Sequence, residues 1–131
     1  MRYSQSSRRG AATVEVAITA PILLLIVFGG IECSRANMMR NAAEVAAIEG
    51  ARVGIVPGAT AQKCKDRALE ELAILKVVDG DVQVSPAVIT NTTTEVTVVV
   101  TIPLSKNSLP LSQFVVGKTL IQSIKLTREI D

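Results

Sequence analysis

The chain has 131 residues, enough for one domain, and 48% of them are apolar although only three are aromatic. The net charge is +2, and without Arg2, Arg8 and Arg9 only 11 basic residues (14 − 3) stand against 12 acidic ones, which excludes the basic stripe of a nucleic-acid-binding protein. With no histidine and two isolated cysteines, the sequence lacks clustered metal ligands and the usual imidazole base, so we predict no enzyme, no cofactor and no nucleic-acid partner.

A long apolar segment follows the basic N-terminal residues. Residues 11–31 contain one charged residue, Glu15, and as a helix they would be about 31 Å long, close to the hydrocarbon thickness of a bilayer. Because basic residues precede the segment, the positive-inside tendency places the N-terminus in the cytoplasm and residues 32–131 outside. The segment therefore predicts a single-pass protein of the cytoplasmic (inner) membrane, in contact with the lipid bilayer.

The residues around this segment distinguish several kinds of N-terminal signal. A secretory signal would end in a small-x-small cleavage site, and lipoprotein cleavage before Cys33 would place Glu32 where a small residue is needed. An uncleaved anchor leaves Glu15 unexplained, since a carboxylate at the centre of a membrane helix costs about 2.5–3.5 kcal/mol on insertion scales. Cleavage between Gly10 and Ala11 would instead give Ala11 a charged amine, one helical turn from Glu15. The carboxylate could pair with this amine or with that of a neighbouring subunit, and such pairing would favour one axial register of the packed helices.

Two further features lie along the predicted helix. Pro21 cannot donate a hydrogen bond to the carbonyl of Ala17, which predicts a kink or a loosened turn, either tolerated by a membrane helix or used during assembly. Small residues four apart allow two helix backbones to approach closely, and two such pairs predict a helix-packing face: Gly29 with Cys33, and Gly30 with Ser34.

Helical periodicity continues to about Arg52, before Gly54, Pro57 and Gly58. The second half of this helix carries a stripe of small residues that would pack on the protein's own domain or on neighbouring subunits: Ala36, Met39, Ala43, Ala46, Ala47 and Gly50. A second amphipathic helix is predicted within residues 59–75, with a core stripe of Ala61, Cys64, Ala68, Leu72 and Leu75. In this arrangement Cys33 and Cys64 would lie about 20 Å apart, too far for a disulfide.

Beyond Asp79 the periodicity changes from helical to alternating. Three strands are predicted, and the apolar residues expected on their inner faces are Val82, Val84 and Val88, then Val96, Val98, Val100 and Ile102, and finally Leu120, Ile124 and Leu126. A turn is expected around Asn91, and a loop is expected over residues 103–118. Asn91 also begins a glycosylation sequon, which by default is a chance occurrence in a threonine-rich turn. That loop would close the core or dock a partner through Leu109, Leu111, Phe114 and Val115. These patterns predict an α+β fold with a three-stranded antiparallel sheet packed on a helix.

The order of residues over 8–54 resembles a prepilin signal, and more closely the TadE-like pseudopilins of tight-adherence (Tad/Flp, type IVc) pili. The resemblance is carried by Arg9-Gly10, Val14-Glu15, Ala17, Pro21, Gly29, Glu32, Arg35 and Ala47. It is also carried by the run Glu49, Gly50, Ala51 and Arg52, which commonly closes the long helix in that family. Val16 departs from the pattern, since an aromatic residue usually follows the glutamate.

Membership of this family would imply cleavage after Gly10 by a prepilin peptidase. Three parts follow: a leader over 1–10, a transmembrane and assembly helix over 11–31, and an extracytoplasmic α+β domain over 32–131. The family's role would make the protein a minor pilin or pseudopilin that meets other pilins and the inner-membrane assembly platform, and that primes, caps or assembles a pilus for adherence. The alternative is a monomeric, membrane-anchored binding module that never polymerises.

Overall fold

The computed structural model describes the backbone of residues 5–108 and 117–128 and the side chains from Gly10 onward within those ranges. Its helices are α1 (Gln5–Gly54), α2 (Ala61–Ile74) and α3 (Leu104–Asn107), and its strands are β1 (Asp81–Ser85), β2 (Glu95–Pro103) and β3 (Thr119–Thr127). The predicted α+β class and the three-stranded antiparallel sheet are confirmed. The predicted apolar loop residues Leu109, Leu111, Phe114 and Val115 lie outside the described residues.

The described chain falls into two compact units, one up to Ser34 and one from Arg35 onward. The first unit is helical, and the α-helix is continuous through Pro21. Helix α1 ends at Gly54, two residues beyond the predicted end, because the chain then turns through Pro57 and Gly58, and Gly58 adopts a φ of +77°.

In the second unit, the small-residue stripe of α1 packs against α2 and β2. A Cβ added to Gly50 would lie 2.9 Å from the Cys64 carbonyl oxygen and 3.0 Å from Ala68 Cβ, and one added to Gly54 would lie 2.7 Å from Val96 Cγ1. The stripe therefore serves the protein's own domain, the first of the two expected partners. Of its members, Ala43, Ala46 and Ala47 are fully buried, and so is the neighbouring Ala51.

The sheet has the order β1-β2-β3, and β2 is the central strand. Val100 pairs with Val82 on one side and with Gln122 on the other. The inner side chains of β2 form the centre of the core and are completely buried: Val96, Val98, Val100 and Ile102. The predicted place of Val88 on the inner face of β1 is wrong, because β1 ends at Ser85, before Pro86, and Val88 is 73% exposed.

Helix α2 lies within the predicted residues 59–75. It begins at Ala61 because Thr60 caps it, its side chain accepting a hydrogen bond from the Lys63 N–H at 3.3 Å. The buried stripe is Cys64, Ala68 and Leu72, while the predicted outer members, Ala61 and Leu75, are half-buried at the two ends.

The turn expected around Asn91 is present between Thr90 and Thr93. The Thr93 N–H donates to the Thr90 carbonyl at 3.1 Å, and the Thr90 N–H donates to Thr93 Oγ1 at 2.9 Å. Short polar side chains of this kind favour turns because they bond their own backbone.

A buried amide that the sequence reasoning missed, Asn107, joins α3 to the connection between α2 and β1. Asn107 Oδ1 accepts a hydrogen bond from the Val78 N–H at 2.8 Å, and Asn107 Nδ2 donates to the carbonyls of Val78 and Pro103, each at 2.9 Å. The neighbouring Lys106 forms an ion pair with Asp79. These contacts tie the connection between α2 and β1 to the end of β2, and thereby close one end of the core.

Candidate assembly segment

The residues predicted to carry function lie mainly on one stretch of α1, residues 10–34, called here the assembly segment. From Val14 to Ile31 its large apolar side chains are 44–68% exposed, on every side of the helix. So much exposed apolar surface is unusual for a soluble monomer and marks a site of contact with a membrane or another protein. Helix α1 is long and apolar enough to cross a membrane by length and composition, which is compatible with single-pass anchoring.

The predicted cleavage site lies in the first turns of the described helix. Gly10 is exposed, and a Cβ added to it would meet nothing within 4 Å. Gly10 therefore has no packing role in the described chain. Ala11 is exposed as well and lies six residues after Gln5, the first residue of α1.

Glu15 projects its carboxylate from the exposed surface of α1. Among the side chains that the structure describes, from Gly10 onward, none forms an ion pair with it. Its carbonyl oxygen, however, accepts a hydrogen bond from Thr19 Oγ1 at 2.8 Å. Such bonding of a threonine hydroxyl back to the preceding turn slightly loosens a helix and often bends it.

Pro21 lies two residues beyond Thr19 and removes the donor for the carbonyl of Ala17. Two carbonyls therefore differ from those of an ordinary helix. The Glu15 carbonyl accepts an additional hydrogen bond from the Thr19 hydroxyl, and the Ala17 carbonyl lacks the usual N–H donor four residues later. The turn between Glu15 and Pro21 therefore departs from regular helical bonding, although the helix continues through it. The kink itself stays a prediction.

The two small-residue pairs lie open. A Cβ added to Gly29 or Gly30 would meet nothing within 4 Å, and Cys33 and Ser34 are exposed. Because successive residues are about 100° apart around a helix, the two pairs together provide one broad surface without bulky side chains. A second helix can approach the backbone closely here.

The two cysteines are free, as the sequence reasoning predicted, with Cys33 exposed and Cys64 buried. Burial raises the pKa of the Cys64 thiol above its ordinary value, so this sulfur stays protonated and acts as a small apolar side chain in the core.

Glu32 is a buried residue within the otherwise exposed assembly segment. Only 8% of it is exposed, while Ile31 and Cys33 on either side are exposed.

The run from Glu49 to Arg52 has two faces with separate roles. Gly50 and Ala51 are buried in the core of the second unit. Glu49 and Arg52 form an ion pair at 3.0 Å, with the Arg52 side chain 66% exposed. The close approach at Gly50 and the i,i+3 pairing opposite it explain why these residue types occur in this order.

The described residues contain no group of three or more His, Cys, Asp or Glu that could hold a metal ion.

Gly54 is a packing residue that the sequence reasoning treated only as a helix stop. Its spacing of four from Gly50 was the available signal, because the same spacing marked Gly29 and Gly30 as packing positions.

Comparison with protein-family models gives a match to TadE, the TadE-like proteins, over residues 10–52. Comparison with curated proteins and with solved structures gives no significant match. The matched range includes Gly10, Glu15, the small-residue pairs and the run that ends at Arg52, so it spans the assembly segment and the buried half of α1. The predicted resemblance is confirmed: residues 10–52 of this chain are a TadE-like sequence, which associates the protein with the pilin-like components of tight-adherence pili.

Proposed function

We propose that this protein is a minor pilin or pseudopilin of a Tad-type pilus, and that its N-terminal helix first resides in the inner membrane and then inserts among other pilin helices. The observation that carries the proposal is the exposure of apolar side chains on all sides of residues 14–31, within a TadE-like sequence. One surface of this kind is compatible with both lipid and apolar helices as surroundings.

Processing by a prepilin peptidase after Gly10 makes the assembly step possible. Removal of residues 1–10 takes away the arginines that hold the N-terminus on the cytoplasmic side, and leaves an apolar helix that begins at Ala11. The absence of a side chain at Gly10, with open space around it, supports a role in recognition by the peptidase rather than in folding.

Glu15 then becomes the fifth residue of the processed chain. A carboxylate surrounded by apolar helices requires a partner, because an unpaired charge in a water-poor environment is costly. The new amine of Ala11, on the same subunit or on its neighbour, provides that partner. Pairing in this position favours one axial register of neighbouring helices and disfavours the others.

The second unit remains outside the membrane and has a structural role. Its core is formed by its own stripe of α1, by α2 and by the sheet, so it is a folded body of its own. The partners in this proposal are the prepilin peptidase, other pilins, the inner-membrane assembly platform and the lipid bilayer. In this proposal the protein primes, caps or assembles the pilus, and the pilus serves adherence.

The test is intact-mass spectrometry of the protein extracted from membranes of its own cells. We expect a chain that starts at Ala11 in cells with active prepilin peptidase, and the full leader in cells without it. Gly10→Val should accumulate the precursor and reduce piliation. A chain that keeps residues 1–10 in peptidase-containing cells would overturn the proposal and favour the monomeric, membrane-anchored binding module.

A further inference from the structure

One edge of strand β3 is unpaired among the residues that the structure describes. It pairs with β2 along all nine of its residues, and among the described residues no strand pairs with its other side. The other edge strand, β1, has only five residues and is followed by Pro86. A long unpaired edge presents a row of backbone N–H and C=O groups that can receive another strand.

The apolar layer of the sheet is also incompletely covered at this edge. Every inner side chain of β2 is completely buried, but the inner side chains of β3 are only half-buried: Leu120, Gln122, Ile124 and Leu126. On the outer face of the same strand Ile121 is 64% exposed. A strand added beside β3 would remove apolar surface from water on both faces.

Natural edge strands are usually protected by a proline, a bulge, an inward-pointing charge or a short length. Strand β3 contains no proline, pairs with β2 residue for residue without a bulge, and has no charge on its inner face. Its one charged residue, Lys125, lies on the outer face and is held by Glu95 on β2 at 2.6 Å. Within the part of the chain that the structure describes, this edge therefore lacks these four devices against pairing.

We infer that β3 pairs in antiparallel orientation with β3 of a second copy of this chain, centred on Ser123, to form a continuous six-stranded sheet. A two-fold interface requires a self-complementary pattern. About Ser123 the pattern is self-complementary, because Leu120 lies opposite Leu126 of the second copy and Thr119 lies opposite Thr127 of the second copy. The two copies of Lys125 are kept apart, each opposite the apolar Ile121.

Neighbouring registers fit less well. Centring the pair on Gln122 would place Leu126 opposite Lys118, and centring it on Ile124 would place Leu120 opposite Arg128. Each of these shifts puts a cation beside a leucine of the inner face, whereas the register centred on Ser123 keeps Lys125 on the outer face, so the pattern selects Ser123. The inference does not rest on the pilus assignment, since it uses only residues of the second unit.

Disulfide crosslinking in intact cells expressing the full chain tests this pairing. In a Cys33→Ser background, Ser123→Cys places two thiols opposite each other across the two-fold axis, at a Cα separation of about 4.5–5.5 Å that permits a disulfide. The matched control is Gln83→Cys, because Gln83 and Ser123 flank Val99 in one row on the same face. We expect at least about tenfold more dimer from Ser123→Cys, in precursor (Gly10→Val) and processed chains alike.

A mixture of two variants tests the register. Thr119→Cys and Thr127→Cys, carrying different tags, should crosslink with each other and not each with itself. In the Ser123→Cys chain, Ile121→Lys places one new lysine opposite each of the two copies of Lys125 and should reduce the amount of dimer, while Ile121→Thr should not. Equal crosslinking at Gln83 and Ser123, self-crosslinking of Thr127→Cys, or no dimer from Ser123→Cys would overturn the inference.

Discussion

Helix α1 approaches the sheet so closely at Gly54 that a Cβ on this residue would lie 2.7 Å from Val96 Cγ1. Carbon atoms in favourable contact are about 3.5–4.0 Å apart, so glycine is what permits the approach. One turn earlier, a Cβ added to Gly50 would lie 2.9 Å from the Cys64 carbonyl oxygen, so glycine permits a close approach there as well. These two glycines set the distance between the long helix and the core of the second unit.

We therefore expect Gly50→Ala and Gly54→Ala to destabilise the protein. Alanine would favour an exposed helix by about 1 kcal/mol, but overpacking against a backbone carbonyl and a fully buried valine costs about 1–3 kcal/mol. The net loss should be largest for Gly50→Ala, because a carbonyl oxygen has less freedom to move than a side chain. Urea unfolding of the full chain in detergent, followed by circular dichroism, measures this loss.

The controls are Gly29→Ala and Gly30→Ala, at which an added Cβ meets nothing within 4 Å. These variants should leave the urea midpoint of the second unit unchanged. Equal losses at all four positions would show that alanine acts through some property other than the close approach.

Asn107→Ala should cost about 1–3 kcal/mol of unfolding free energy, because it leaves the N–H and C=O of Val78 without their side-chain partner in a part-buried position. Lys106→Ala is the neighbouring control. It removes an ion pair whose side chains are more than half exposed, which contributes at most about 1 kcal/mol. Thermal unfolding of the two variants compares them, and a larger loss from Lys106→Ala would contradict the proposed role of the amide.

Glu15→Ala should insert into the membrane normally but enter pili poorly. Loss of one charged partner in an assembly of apolar helices should reduce incorporation by at least about tenfold, equivalent to about 1.4 kcal/mol. Glu15→Gln, which keeps the shape and removes the charge, should show most of the same loss. Immunoblots of sheared pili and of membranes measure the ratio.

The matched control for Glu15 is Glu44→Ala, which removes an exposed carboxylate from the same helix in the second unit. Incorporation of the Glu44→Ala chain should be close to that of the wild type. If Glu15→Ala entered pili as well as Glu44→Ala does, the registration role of Glu15 would be refuted.

Cys64 should make folding sensitive to alkaline pH. Its folded pKa is raised above the unfolded value, so its contribution is complete below the ordinary thiol pKa and is lost as pH rises through the folded pKa. The unfolding free energy of the wild type should therefore fall more between about pH 8 and pH 10 than that of Cys64→Ala. Parallel pH dependence in the two chains would show that Cys64 ionises equally in both states.

Local pattern was sufficient for much of this protein. The length of the apolar segment, the stripe of α2 and the alternation from Val96 to Ile102 each predicted the observed element, because a helix or a strand repeats over a few residues. The order of residues from Gly10 to Arg52 likewise indicated a TadE-like sequence before the tertiary structure was considered.

Packing settled the remainder. Gly50 and Gly54 have the same spacing of four as Gly29 and Cys33, yet the first pair is buried against α2 and β2 while the second is exposed. Asn107 bonds to Val78, a partner 29 residues away, and the inner face of β3 is only half-buried although its alternation matches that of β2. Such contacts join residues that are distant in the chain, so they arise only when the elements come together, and no local period encodes them.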